Sequence, residues 1–291
     1  MPHQRCEISS NHLSLAVAPL GAEIQYLRTA AGQDLLWNGD EAFWTGRAPI
    51  LFPIVGRAVN DVVEAGGIRA EMKQHGLARR QVFDLKDHSQ THCRHVLRAT
   101  PETKSIYPFD FKVTVDHEVI EATLSVSTLI TNESEQPMPF GFGFHPAFRF
   151  PLPGSADPHF VTLATSSNLE RRPLRSDGLL ERNTVPGPFK ARRLEISDPL
   201  FSDGALVFPN GSEPLSYGTE AGPHLDFRFE NLPDLALWRP EGAPFLCIEP
   251  WHGTASMVGD GPRLEDRPNS LTLAPGASKT FAYHMTYLPG V

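Results

Sequence analysis

Two stretches concentrate this chain's capacity for chemistry. They are Gly141-Phe142-Gly143-Phe144-His145-Pro146-Ala147-Phe148 and Phe245-Leu246-Cys247-Ile248-Glu249-Pro250-Trp251-His252-Gly253. Each sets one ionisable side chain, His145 or Glu249, inside an apolar and aromatic run. An imidazole and a carboxylate held in that way can pass protons in opposite directions at neutral pH, which is what opening and reclosing a sugar ring requires.

The proline after His145 biases that residue toward an extended backbone, so it reads as a strand end. Apolar neighbours lower an imidazole pKa and a nearby carboxylate raises it, and the two together can leave it near neutrality. The alternative is a core-edge histidine tied to a backbone group. Glu249 follows Phe245, Leu246, Cys247 and Ile248, a run that reads as a buried strand. Glutamate is rarely buried without a partner. Pro250 lacks the next ladder N–H, so the strand is expected to end or bulge there, with the carboxylate facing a pocket. A structural salt bridge is the alternative.

Arg57 closes the apolar run Pro49-Ile50-Leu51-Phe52-Pro53-Ile54-Val55-Gly56, and its planar donors suit sugar hydroxyls or carboxylates. An exposed arginine after a turn fits equally. His75-Gly76 lies in a polar loop after Lys73 and Gln74 and carries little signal alone. Of Trp37, Trp44, Trp238 and Trp251, Trp238 ends the strand-like run Leu235-Ala236-Leu237 and is the one assigned to a cleft.

The elements that must position these groups are strands. Proline (27) and glycine (23) recur too often for long helices. Period-two alternation appears at Leu13, Leu15 and Val17, at Phe111, Val113 and Val115, and from Leu124 through Val126 and Thr128 toward Ile130. Leu271 and Leu273 lead into Pro275-Gly276, and Phe281, Tyr283, Met285 and Tyr287 follow, a pattern that predicts a hairpin. Asp40 to Trp44 reads as one short turn capped by Asp40, and the segments near 154–158 and 171–188 as surface loops. The sum is an all-β protein, one domain spanning 1–291, with antiparallel sheets packed face to face.

Composition narrows the partners. A net charge of −8 argues against nucleic acid or an anionic membrane. Cys6, Cys93 and Cys247 show no CxxC spacing and read as free thiols in a reducing compartment. The segment Met1 to Glu7 lacks the apolar core of a secretion signal, and no run is long enough for a membrane span. A cytoplasmic protein is the expectation, with its oligomeric state open.

Four segments together resemble the aldose 1-epimerases, or galactose mutarotase-like proteins, and within them the bacterial branch of LacX-type proteins. They are Leu51-Phe52-Pro53-Ile54-Val55-Gly56-Arg57, Gln74-His75-Gly76-Leu77-Ala78-Arg79, Gly143-Phe144-His145-Pro146-Ala147-Phe148 and Cys247-Ile248-Glu249-Pro250-Trp251. The resemblance runs through nearly the whole chain. It implies a β-supersandwich with an open sugar cleft. It also implies Glu249 as general base and His145 as general acid, with Arg57 and His75 holding the sugar. Asp203 would match a residue that binds a distal hydroxyl, and Trp238 would line the cleft. The better-known galactose mutarotases carry a longer arginine-containing segment and a His-Gly-Gly loop. Here the loops read Gly56-Arg57-Ala58-Val59-Asn60-Asp61 and His75-Gly76-Leu77, so a reshaped sugar pocket is expected.

The expected activity is therefore interconversion of the α and β anomers of a free hexose, with no cofactor and no metal. Three other readings stand beside it. One is hexose-6-phosphate 1-epimerisation with Arg79 and Arg80 as the phosphate clamp. Another is a non-catalytic carbohydrate-binding β-sandwich. The third is a metalloenzyme using His75, His145 and Glu249, none of which lies in a short ligand motif.

Overall fold

The computed structural model describes residues 5–166 and 168–290, so the first four residues of the segment read for a secretion signal lie outside it. Two large antiparallel sheets dominate. The nine-stranded sheet runs, in spatial order, through Arg193–Glu195, Phe160–Leu163, Leu215–Gly218, His224–Glu230, Ser278–Leu288, Thr123–Asn132, Phe111–Ile120, His92–Arg98 and Asp84–His88. The second sheet runs through Leu206–Phe208, Asp234–Trp238, Phe245–His252, Phe142–Phe144 and Ile50–Leu51, with Ala147–Arg149 also paired to Phe245–His252. A three-stranded sheet of Cys6–Ser9, Leu13–Val17 and Ile24–Thr29 completes the larger elements.

The alternating runs bury their apolar side chains as their spacing requires. Leu13, Leu15 and Val17 are buried, as are Phe111, Val113 and Val115, and Leu124, Val126, Thr128 and Ile130. Phe111–Ile120 and Thr123–Asn132 pair over their full lengths, and Thr123–Asn132 also pairs with Ser278–Leu288. By contrast, both faces of Phe245–His252 are buried up to its last residue, so that central strand reads as a continuous apolar run rather than an alternation. Asp40 accepts hydrogen bonds from the N–H groups of Ala42 (through its side chain, 2.9 Å) and of Phe43 and Trp44 (through its carbonyl), which closes the expected short turn.

Two local expectations are corrected. Leu271–Leu273 and Ser278–Leu288 do not form a hairpin. The first pairs with Met138–Phe140 and the second joins the nine-stranded sheet. The turn between them exists, with the Ala277 N–H bonded to the Ala274 carbonyl at 3.0 Å. Asn132, fully buried, grips it: its side-chain amide donates to the Leu273 carbonyl at 2.9 Å, and its own carbonyl accepts from Gly276 N–H. The turn is thereby bonded to the end of another strand, and the chain crosses from one sheet to the other. Nor does the strand end at Pro250; it continues to His252. On that side its partner is interrupted between Gly143, opposite Trp251, and Ala147, opposite Cys247. Pro250 falls in the gap, where no ladder bond requires its N–H.

Candidate functional site

The interruption that accommodates Pro250 also creates the site. The pairings 143 with 251 and 147 with 247 share one register, which carries through the gap and sets residue 145 opposite residue 249. Their side chains therefore emerge on the same face. His145 Nε2 lies 3.0 Å from Glu249 Oε2. The gap is held open on both sides: His145 N–H donates to the Pro49 carbonyl, and Ile248 N–H to the Pro146 carbonyl, each at 3.1 Å.

The pair lies in a cavity of about 350 Å³, within the usual ~300–1,000 Å³ range of small-molecule sites. Its floor continues across the sheet, because Glu249 pairs with Ala236 and Ala236 with Val207, and Glu249 and Val207 both line it. Gly143 is glycine for a steric reason: a Cβ there would overlap the Trp251 ring, which forms part of the wall. Trp44 stacks on the His145 imidazole at 4.8 Å between ring centroids, and Trp238 meets it edge-on at 5.9 Å. Trp44 is in turn fixed through its carbonyl, which accepts from Trp37 Nε1 at 2.8 Å.

His75 enters from a loop on the opposite side, its ring 5.4 Å from that of His145. It is anchored twice to Gly56: its N–H donates to the Gly56 carbonyl at 3.0 Å, and its Nδ1 accepts from the Gly56 N–H at 3.2 Å. Neutral His75 therefore carries its proton on Nε2. Gly56 and Gly76 both have φ in the left-handed region (66° and 72°), and a Cβ at either would meet the facing backbone of Ala255 or Phe52. Behind this loop the buried Arg267 donates to the carbonyls of Val55 (2.7 Å) and Thr254 (3.1 Å), tying together the two segments that pack at Gly56.

Burial governs the electrostatics. It pushes Glu249 well above the ordinary carboxylate range, opposed by the Arg79 guanidinium. It holds His145 well below the ordinary imidazole value, reinforced by His75 and Arg79. His75 is lowered to about 3, again mainly by burial. A dry site disfavours net charge, so the pair retains one proton between its two partners across the neutral range. Such a pair can give a proton at one atom while taking one at the other.

Of the residues singled out in the sequence, the cavity brings together His145, Glu249, His75 and Trp238. It leaves two aside. The Arg57 guanidinium turns back onto Asp61, with hydrogen bonds of 2.8 and 2.6 Å, and its stem packs behind the wall residue Gly178. Asp203 is exposed and borders a separate small hollow, although the next two residues, Gly204 and Ala205, line the main cavity. Arg79 and Arg80 both line the cavity. Among the described residues neither has a carboxylate within ion-pair distance. Trp44, Gln74 and Trp251 were not singled out as cavity residues. Among the described residues Trp251 Nε1 is a buried donor with no partner, and the sequence hint to it is its position two residues after Glu249 on the same strand face. The segment 171–188 is not wholly a surface loop, since Leu174, Gly178 and Leu180 close one side of the cavity.

A ring nitrogen of His145, Cys247 Sγ and a Glu249 oxygen lie within 4.8 Å of one another, a triplet of metal-ligating types that includes Cys247 where the sequence suggested His75. The 3.0 Å approach of His145 to Glu249 already engages two of those three donors.

A family model for aldose 1-epimerase matches residues 4–286. The plasmid-borne protein LacX of Lactococcus lactis subsp. lactis is 26% identical over 295 residues, covering 97% of this chain and 99% of LacX. Among solved structures, a galactose mutarotase related enzyme from Lactobacillus acidophilus superposes with a TM-score of 0.92 at 29% identity, covering 99% of this chain and 98% of that one. A galactose mutarotase-like protein from Lactobacillus casei gives 0.90 at 28% identity, with coverage of 98% and 100%.

Proposed function

Because the chain belongs to the aldose 1-epimerase family, we propose that it interconverts the α and β anomers of a free hexose, with Glu249 and His145 as the proton carriers. The observation that carries this reading is the 3.0 Å approach of His145 Nε2 to Glu249 Oε2 on the floor of a sugar-sized cavity. A pyranose bound there sets its C1 hydroxyl against Glu249 and its ring oxygen against His145. Glu249 removes the hydroxyl proton while His145 protonates the ring oxygen, and the C1–O5 bond breaks. Rotation about C1–C2 turns the other face of the aldehyde toward O5. Reclosure runs the transfers backward: His145 takes the O5 proton and Glu249 returns one to O1.

The pair starts and ends each turnover with the same single proton, so a dry cavity that stabilises this protonation count does not obstruct the cycle. Arg79 favours the ionised form of Glu249 when it acts as base. Trp251 Nε1–H, which has no partner among the described residues, is a donor for a sugar oxygen, and His75 Nε2–H joins it when it leaves the Gln74 side-chain amide 3.2 Å away. Trp44 and Trp238 offer ring faces to the sugar's C–H surface. No step calls for a group beyond these side chains.

A phosphorylated hexose is the second reading, favoured by Arg79 and Arg80 on the cavity wall. Polarimetry on fresh α-D-glucose and on α-D-glucose 6-phosphate separates the two. For the preferred sugar, Glu249→Gln and His145→Asn should each lower the rate by about 10²–10⁴-fold with the fold intact. A Glu249→Gln enzyme that kept most of its rate would remove Glu249 from the base role.

A further inference from the structure

Away from the cavity, the core contains a polar cluster that the proposed reaction does not use. Cys93 and His95 alternate along His92–Arg98, so both project from one face, and His117 on the neighbouring strand is in direct register with Cys93. All three are buried at 1% exposure or less. The sulfur and the ring nitrogens lie within 4.8 Å of one another, and the two imidazoles stand nearly perpendicular, with centroids 6.4 Å apart. Among the described residues, both ring nitrogens of His95 and Nδ1 of His117 have no hydrogen-bond partner. A buried imidazole with neither nitrogen satisfied demands an explanation, because buried polar groups are almost always hydrogen-bonded and an unmet one loses its hydration without return.

A fourth donor arrives from the three-stranded sheet. On that sheet Cys6, 3% exposed, is the neighbour of Cys93; its sulfur is not among the three donors that lie within 4.8 Å of one another, so it must swing in to complete a four-donor set. Its strand is held over the main sheet by two bonds: Ser9 N–H donates to the Gln90 carbonyl at 2.7 Å, and the His88 ring nitrogen lies 2.8 Å from the Glu7 carbonyl.

We propose that Cys6, Cys93, His95 and His117 form a structural zinc site that pins the N-terminal strand to the nine-stranded sheet. Two sulfurs and two nitrogens are the donor set that tetrahedral Zn²⁺ prefers. Two thiolates and two neutral imidazoles cancel the ion's charge, so the assembled site is neutral and suits a core. Binding Zn²⁺ releases two protons to solvent, one from each thiol. The absence of CxxC spacing does not prevent the site, because strand register and sheet packing gather what the sequence separates. A Cys6–Cys93 disulfide is the competing outcome, and it leaves the His95 nitrogens unmet.

The test uses the full chain purified without added metal. Elemental analysis after gel filtration is expected to give one zinc per chain. Refolding with Co²⁺ in its place should give the intense visible bands of a tetrahedral ion together with a thiolate charge-transfer band. Both should persist in Cys247→Ala, which alters the only thiol beside the cavity, and should be lost or shifted in Cys6→Ser and His95→Gln. Because the wild-type spectrum itself reads thiolate ligation and geometry, the outcome does not depend on the variants folding. The proposal is overturned by wild-type protein that contains no metal and gives no cobalt–thiolate band. It is equally overturned by a Cys6–Cys93 disulfide in the intact mass, or by a band that disappears in Cys247→Ala.

Discussion

The opposed pKa shifts of His145 and Glu249 bear on stability as well as on the proposed reaction. In the unfolded chain the carboxylate titrates near 4.5 and the imidazole near 6.5; in the folded protein burial raises the first and lowers the second. The raised Glu249 binds its proton more tightly when folded, so its contribution to stability is complete below pH 4.5 and declines as pH rises above it. The lowered His145 acts oppositely: its contribution increases with pH up to 6.5. Between 4.5 and 6.5 the two cancel. Above 6.5 only the glutamate effect remains, so this pair should cost stability at a slope approaching about 1.4 kcal/mol per pH unit. In Glu249→Gln that decline should vanish, and denaturant titrations of the two proteins at pH 6 and pH 8 measure the difference. Parallel stability curves for the two proteins would mean that Glu249 ionises freely in the fold. For the same reason kcat/KM should pass through pH 6.5 without an inflection. At this scale the sequence was informative where an ionisable residue stood alone in an apolar run, as His145 and Glu249 do. It was poor for Arg57, whose partner Asp61 is four residues away in the same loop. Nothing local distinguished an arginine facing a sugar from one folded back on its own turn. Trp44 is likewise indistinguishable from a core tryptophan until His145 is known to lie beneath it.

Strands were legible as strands, but their partners were not. Alternation marks a face, and burial follows from it, as along Thr123–Asn132. Which strand lies alongside depends on contacts that a local pattern does not encode. The turn at Pro275-Gly276 looks like a hairpin because its local chemistry is that of one; Asn132, remote in sequence, redirects it. Asn132→Ala would strand the carbonyls of Leu273 and Gln136 and the N–H of Ser134. It should lower the unfolding free energy by about 1–3 kcal/mol. Because none of these hydrogen-bond partners lines the cavity, the rate per folded molecule should stay at the wild-type level. Unchanged stability in urea would mean that the crossover is held by other contacts. The opposition of His145 and Glu249 belongs to this scale too, since it arises from one ladder register shared on both sides of a gap.

On the scale of the whole molecule, charge is unevenly distributed. The chain carries a net −8, yet the cavity wall presents Arg79 and Arg80. Among the described residues no helix is long and apolar enough to cross a membrane. A negative protein with a cationic recess repels anions at long range and attracts them within the recess, and salt weakens both effects. A neutral sugar responds to neither. If free hexose is the substrate, kcat/KM should be unchanged when ionic strength is raised from about 10 to about 150 mM, over which the screening length falls from roughly 30 to 8 Å. Arg80→Gln should then alter KM for glucose by less than about twofold, since an arginine at the exposed rim touches a neutral ligand only through replaceable hydrogen bonds. Turnover of glucose 6-phosphate that exceeds that of glucose, weakens with salt and collapses in Arg80→Gln would transfer the assignment to the phosphorylated sugar. The acid–base pair would keep its role, because the anomeric carbon and ring oxygen are the same in both substrates.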